Sequence, residues 1–329
     1  MSNLGIPNLD KDLERQLSQG LDEVESLLSS HIQGDYPLVV ETSRHLVEAG
    51  GKRFRPLITL ISSHFGNGQS KEVIAAAVVC ELTHVATLYH DDVMDEAPLR
   101  RGVVSANKRW GNSVAILTGD YLFAKSSLLL ADLGPDAVRH QAMTFERLVV
   151  GQIMETEGPH DGADPLTHYL KVVAEKTGSL FGLCARYGGY LSGAKPEIVE
   201  TLVKFSEELG IAFQLADDVI DIESSSNQSG KTPGTDLREG VPTLVTLLVQ
   251  KMAHPEDGRL LQLLSGPITD ESDVTFALEA LRNHSALGEA KQITMQYAES
   301  ARKMLSSLPL NGTTEGLLNL CDALVSRSS

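Results

Sequence analysis

Three aspartates fall within five positions in TLYHDDVMDEAPLRRG, residues 87–102, and two adjacent arginines follow them. On an α-helix Asp91 and Asp95 stand four residues apart, so their carboxylates leave one face about one turn apart. The same spacing returns at Asp217 and Asp221 in FQLADDVID, residues 213–221. One such pair is what any solvated helix face can show. Two DDxxD copies, each closing a run rich in apolar residues, ask for a function. Carboxylates at this density repel one another and raise each other's pKa unless a cation joins them. Oxygen-only donors suit a hard cation, and Mg²⁺ takes one or two carboxylates, several waters and substrate phosphate oxygens. Two such pairs on facing helices would form a mouth above an apolar interior. The candidate metal ligands are Asp91, Asp92, Asp95, Asp217, Asp218 and Asp221, and the chemistry is the gripping of a diphosphate through divalent metal.

The basic residues fit a second anion. Lys52, Arg53 and Arg55 precede an apolar helix, Arg100 and Arg101 follow the first acids, and Lys176 and Lys231 flank other polar breaks. Each alone is an ordinary surface cation. Together they supply the guanidinium forks and ammonium charges that hold a polyanion without metal. His84 lies seven residues before Asp91, nearly two full turns, hence on the same helix face. A lone histidine among apolar neighbours is more often a satisfied core residue; alignment with the acids marks this one as a diphosphate donor.

The elements that must carry these residues read as helices. The chain is 42% hydrophobic but only 5% aromatic, a mix dominated by Ala, Leu, Val and Ile that favours helix. Leu, Val and Ile recur at three- and four-residue steps through LDKDLERQLSQGLDEVESLLSSHI. A second helix over 36–49 ends at Gly50-Gly51, a basic cluster opens the next, and one buried helix runs from Glu72 to Asp95, ending near Pro98. Further helices are expected near 112–132, 136–156, 166–176, 179–192, 196–222, 240–252, 257–265, 271–283, 287–306 and 313–325, with loops at 191–194 and 224–235. Strand signals are weak, because no Asn-Gly or Asp-Gly turn separates alternating runs. The expected fold is all-α, with about 10–14 helices. It forms one domain over 1–329: N-terminal helices about 8–49, a motif-bearing core about 50–245 and C-terminal helices about 246–329.

A formal charge of −16 argues against electrostatic binding of nucleic acid or an anionic membrane. No apolar run approaches the ~18 residues of a membrane span, and MSNLGIPNLDKDLERQ lacks an apolar signal region. Cys80, Cys184 and Cys321 are odd in number and far apart, which suits a reducing cytoplasm.

In order along the chain stand GGKRFRP, ELTHVATLYHDDVMDEAPLRRG, the GQ at 151–152, EKTGSLF, FQLADDVID and GKTPGTDLREG. This set resembles the signature regions of the trans-polyprenyl diphosphate synthases, over roughly residues 40–245. The resemblance implies an electrophilic alkylation: an allylic diphosphate ionises and the alkene of isopentenyl diphosphate attacks its C1, head to tail. It implies about three Mg²⁺ per active site, held by Asp91 and Asp95 with Asp92 nearby, and by Asp217 with Asp218 and Asp221 in support. Isopentenyl diphosphate would be held without metal by Lys52, Arg55, His84 and Arg101. The allylic diphosphate (dimethylallyl, geranyl, farnesyl or geranylgeranyl) would meet Arg100, Lys176, Gln214 and Lys231, with Thr177 alongside. Glu81 and Gln152 would support these contacts, and the catalytic set is Asp91, Asp95, Asp217, Lys176 and Gln214. The resemblance also implies that the helices form a single large bundle around a central apolar cavity. A homodimer is implied as well.

One position departs from the pattern: Val241 stands where family members often carry a lysine, and Arg238 is the nearest replacement. Ala86 and Thr87 lie five and four residues before Asp91, about 7.5 and about 6 Å along the helix axis. Short-chain members tend to place an aromatic floor there, whereas small residues leave it open or let two helices pack closely. The expectation is a medium- to long-chain product, C20 or longer, a quinone side-chain precursor being favoured, with Phe123 or Phe145 as a deeper floor. The rival functions are a terpene cyclase, which lacks need of GGKRFRP, and a non-catalytic regulatory subunit, which would lose an aspartate motif.

Overall fold

The computed structural model of the chain describes residues 4–223 and 233–325, and helix dominates them. The all-α expectation holds. The described residues fall into two compact units, each discontinuous in sequence. The first takes the chain through Phe145 together with Leu180–Ser206 and Ser307–Leu317; the second takes Glu146–Ser179, Glu207–Ser306 and the chain from Leu318.

In the first unit, the Lys11–His31 helix begins where Asp10 accepts from the backbone N–H groups of Asp12 and Leu13, both at 3.0 Å. Those bonds satisfy two donors that the first turn leaves orphaned. Leu13, Leu17, Val24 and Leu28 form its buried face, each leucine contributing about 1.5–3 kcal/mol by burial. The Lys71–Met94 helix starts at Ser70, whose hydroxyl accepts from Val73 N–H at 3.3 Å. It buries side chains all round, among them Val73, Ala77, Val78, Leu82 and Val85, as a central core helix does. Its end near Asp95 agrees with the sequence. Contrary to the expectation that no apolar run approaches a membrane span, this helix and Asn112–Leu133 are each long and apolar enough to cross one by length and composition. The first is mostly enclosed by protein, so its apolarity serves the core.

Strand is the main departure from the expected elements. Leu99–Arg100 pairs antiparallel with Val103–Val104, joined by Arg101 at φ 53° and Gly102 at φ 79°. Left-handed backbone at both central positions is what a two-residue hairpin needs to match strand twist. Asn or Asp usually supplies the first of them. Here an arginine does.

In the second unit, Leu215, Val219 and Ile222 from the Pro196–Glu223 helix meet Leu244, Val245, Leu248 and Val249 from Leu244–Met252, and Ala277 and Leu281 from Glu271–Asn283. A π-helical turn, Ala174–Gly178, stands where the sequence suggests a break between two helices. Such single-turn insertions are frequent at functional sites. The short helices Ala106–Trp110 and Thr235–Glu239 were not foreseen either. Most of the loop expected over 224–235 lies outside the described residues.

Candidate active site

The first aspartate row closes the Lys71–Met94 helix, with Asp95 as its C-cap and the Asp95 N–H bonded to the Asp91 carbonyl at 2.8 Å. Asp91 is half-buried and Asp95 exposed, while Asp92 is fully buried. Arg100 Nε donates to Asp92 Oδ1 at 2.5 Å, and Asn107 Nδ2 donates to the Asp92 carbonyl at 2.8 Å. Burial pushes the Asp92 carboxyl above its usual range, against the pull of Arg100. No hydrogen-bond partner reaches Asp92 Oδ2 among the described residues. The middle aspartate is thus an anchor for the hairpin that carries Arg100 and Arg101, turned away from its two neighbours' face.

Behind the row lies the basic cluster. Glu81 is 2% exposed and accepts from Arg53 Nη1 at 2.8 Å, with Arg101 Nη2 at 3.6 Å. Arg53 also pairs with Glu25 and donates to the Val47 carbonyl at 3.0 Å; Arg101 donates to the Leu46 carbonyl at 2.7 Å. Arg53 at φ 47° and Arg101 at φ 53° both hold left-handed backbone, costing roughly 1–2 kcal/mol each. Strain of this kind persists where surrounding contacts over-determine it. Arg53 is therefore a structural pin, a role its place in the KRFR cluster did not separate from that of its neighbours. Arg55 lies with its Cζ 5.3 Å from the Phe181 ring centre, and Lys52 is exposed.

Half-buried His84 feels all of this charge. Burial lowers its pKa well below the usual imidazole range, and Arg55, Arg101, Arg100 and Arg53 lower it further, in that order. Its folded value lies below the unfolded one, so the stability it contributes is complete above about pH 6.5 and is lost progressively as pH falls from there through the lower folded value. Inorganic pyrophosphate should cancel part of the guanidinium charge and raise the titration of His84, read by imidazole NMR. An ordinary titration in the free protein, unmoved by pyrophosphate, would remove His84 from the anion site.

The second row lies in the other unit. Asp217 and Asp221 are half-buried and Asp218 is 4% exposed. Gln214 Nε2 donates to Asp218 Oδ1 at 3.0 Å, Tyr169 donates its hydroxyl to Asp218 Oδ2, and Thr177 Oγ1 donates to Gln214 Oε1 at 3.3 Å. Burial pushes the Asp218 carboxyl up despite those hydrogen bonds. Lys176, on the π turn, pairs with Glu155, which also accepts from Gln152 Nε2 at 3.2 Å. A Cβ on Gly151 would stand 2.9 Å from Glu175 Cβ and 3.1 Å from the Lys176 nitrogen, so only glycine lets that helix reach the π turn. The GQ at 151–152 thus sets the backbone beside Lys176 and steadies its counter-ion.

Arg238, the nearest replacement for the lysine absent at Val241, makes a two-pronged pair with Glu271 at 2.8 and 2.9 Å and donates to the Pro233 carbonyl at 2.6 Å. Ala86 is fully buried, and a Cβ on Gly119 would come to 3.0 Å from its backbone carbonyl, so glycine at 119 lets the two helices close there. Among the described residues no three His, Cys, Asp or Glu side chains are gathered closely enough to hold a metal. Each row alone therefore offers fewer ligands than its three aspartates suggest, and one or two carboxylates is the number Mg²⁺ takes when waters and phosphate complete its shell. With oxygen-only donors, the residues fit a hard divalent cation. Lys231 lies outside the described residues. Tyr169, Glu155 and Asn107 escaped the sequence because each looks like an ordinary residue on a helix.

The sequence profile described as Polyprenyl synthetase matches residues 36–281. Nonaprenyl diphosphate synthase of Mycobacterium tuberculosis is 48% identical over 309 residues, 94% of this chain and 92% of that protein. The crystal structure of geranylgeranyl pyrophosphate synthase from Corynebacterium glutamicum, complexed with calcium and isoprenyl diphosphate, matches with a TM-score of 0.85 at 43% identity, over 97% of this chain and 98% of that one. Polyprenyl synthase from Caulobacter crescentus CB15, in the same kind of complex, matches with a TM-score of 0.89 at 31% identity, over 96% and 97%. By a profile that spans most of its length and by relatives that align from end to end, this chain belongs to the polyprenyl synthetase family.

Proposed function

We propose that the chain condenses an allylic diphosphate with isopentenyl diphosphate, 1′-4 and head to tail, into an all-trans polyprenyl diphosphate of medium to long chain. One observation carries this most: the chain keeps both aspartate rows together with the arginines drawn around His84, in a family whose relative here is named nonaprenyl diphosphate synthase. A cyclase has no use for the second cluster.

Divalent metal, Mg²⁺ at about three per site, would supply charge to stabilise the departing diphosphate. Asp91 and Asp95 would hold it from the first row, Asp217 and Asp221 from the second. Lys176 leaves Glu155 for the allylic diphosphate and, with Arg100, takes up its charge. Lys52, Arg55, His84 and Arg101 orient isopentenyl diphosphate so that its alkene faces C1 of the allylic partner. Thr177 and Gln214 present oxygen dipoles that favour developing allylic cation. The proton lost from C2 goes to the released pyrophosphate, so no dedicated base is required. Apolar walls would exclude solvent and protect the cation from capture by water.

A homodimer is part of the proposal. In the first unit Leu117 is 66% and Leu128 65% exposed on the Asn112–Leu133 helix, with Ile116, Val138 and Met143 also exposed. Exposed apolar side chains of that kind support a contact with a second copy. Three buried, free cysteines fit a cytoplasmic setting.

Chain length has two readings. The nonaprenyl relative favours a long product, while the Corynebacterium neighbour named for geranylgeranyl pyrophosphate favours C20. Phe123 and Phe145, the deeper floor candidates, stand together with ring centres 4.5 Å apart, and His90 lies 5.9 Å from Phe123. Labelled isopentenyl diphosphate, Mg²⁺ and each allylic primer in turn should give labelled prenyl chains longer than C15, and Phe123→Ala should lengthen them. Absence of label in prenyl products with every primer would end the synthase assignment; unchanged lengths in the variant would place the floor elsewhere.

A further inference from the structure

We propose that Tyr169 is a positioning residue for the second aspartate row: its hydroxyl, given to Asp218 Oδ2, holds that carboxylate turned into the protein and leaves Asp217 and Asp221 to meet the metal. This rests on the diphosphate-binding role proposed above for the row.

Tyr169 sits on the Pro165–Val173 helix, with its ring packed against the core of the second unit. Ring packing fixes where the hydroxyl lies. Asp218 is then engaged at both oxygens, by Tyr169 at Oδ2 and by Gln214 at Oδ1, and has almost no exposed surface. On the helix Asp217 and Asp221 share a face, whereas Asp218 is displaced about 100° around the axis. A carboxylate so placed and so occupied braces the helix and lies off the face that Asp217 and Asp221 share.

The first row is built alike in outline and unlike in charge. There the buried middle aspartate is tied to a guanidinium, Arg100. Here both side-chain donors are neutral. Arginine at this place would add a positive charge beside Asp217; tyrosine and glutamine orient the carboxyl without adding one. Partners of this kind, one bond removed from the ligands, tune how tightly a metal is held. The chain Tyr169–Asp218–Gln214–Thr177 also joins the second row to the π turn that carries Lys176. One hydroxyl therefore steadies both the metal-facing acids and the diphosphate-facing cation.

Tyr169→Phe deletes one oxygen and keeps the ring. Binding of Mn²⁺ alone, and of Mn²⁺ with inorganic pyrophosphate, is followed by electron paramagnetic resonance on the full-length protein, beside a thermal melt. The variant should bind Mn²⁺ about tenfold more weakly or worse, and need correspondingly more metal for half-maximal rate, with the KM for isopentenyl diphosphate unchanged. Asp218→Asn should weaken Mn²⁺ similarly, and Tyr169→Phe should add nothing in that background. Wild-type Mn²⁺ affinity in either single variant, or full additivity in the double variant, overturns the proposal. Should Tyr169→Phe fold poorly, Asp218→Asn still decides. A wild-type protein that makes no prenyl product, yet loses Mn²⁺ on Tyr169→Phe, would sink the synthase assignment and uphold Tyr169.

Discussion

Asp91→Asn should lower turnover by about 10²–10³-fold or more, the scale on which removing one preorganised charge-stabilising group acts. The substitution keeps the shape of a half-buried side chain at the end of the Lys71–Met94 helix, and the backbone bond from Asp95 N–H to the Asp91 carbonyl does not depend on it. What it removes is a charged oxygen donor, the ligand a hard cation prefers. Stability should be unchanged or slightly raised, because one of three crowded carboxylates loses its charge. The loss should persist at saturating isopentenyl diphosphate and shrink only partly when metal is raised. Steady-state rates across a Mg²⁺ series read this directly, and near-normal turnover would take Asp91 out of the metal site.

Glu81→Ala should damage the fold as well as the reaction. Glu81 is a buried carboxylate shared between Arg53 at 2.8 Å and Arg101 at 3.6 Å. Its removal leaves two guanidiniums near one another in a poorly hydrated place, each in left-handed backbone that this contact helps to hold. Breaking a buried ion pair from one side costs about 3–5 kcal/mol. Arg53 retains Glu25 and the Val47 carbonyl, so Arg101 should move most. Denaturant unfolding should show the loss of stability, and the KM for isopentenyl diphosphate should rise more than that for the allylic substrate. Wild-type stability in Glu81→Ala would mean that neither arginine depends on it.

The helices were legible because burial leaves a period in the sequence. Lys71–Met94 could be drawn nearly to its last residue, since its apolar run ends in acids and a proline. The hairpin at residues 99–104 was not legible: its turn uses Arg101-Gly102, and only the contacts of Arg101 with Leu46 and Glu81 explain an arginine at positive φ. The π turn hid for a different reason, since one inserted residue leaves composition unchanged. Motif spacing put the acids on helices and paired Asp91 with Asp95 and Asp217 with Asp221, yet it could not show what the middle aspartates do. The structure separates them, because Asp92 and Asp218 are buried and already bonded. Tyr169 could not be picked out from sequence, as its partner lies 49 residues away. Nor could the sequence show that Arg238 pairs with Glu271.

The most direct measurement is calorimetric titration of an inert allylic thiodiphosphate into the protein, with Mg²⁺ and with chelator, in wild type and in the Asp91→Asn and Asp217→Asn variants. If both acidic rows seize a single phosphorylated head through divalent metal, binding appears only with Mg²⁺ and each variant loses most of it. Metal-independent binding, or a variant at either row that binds as well as wild type, would contradict the account.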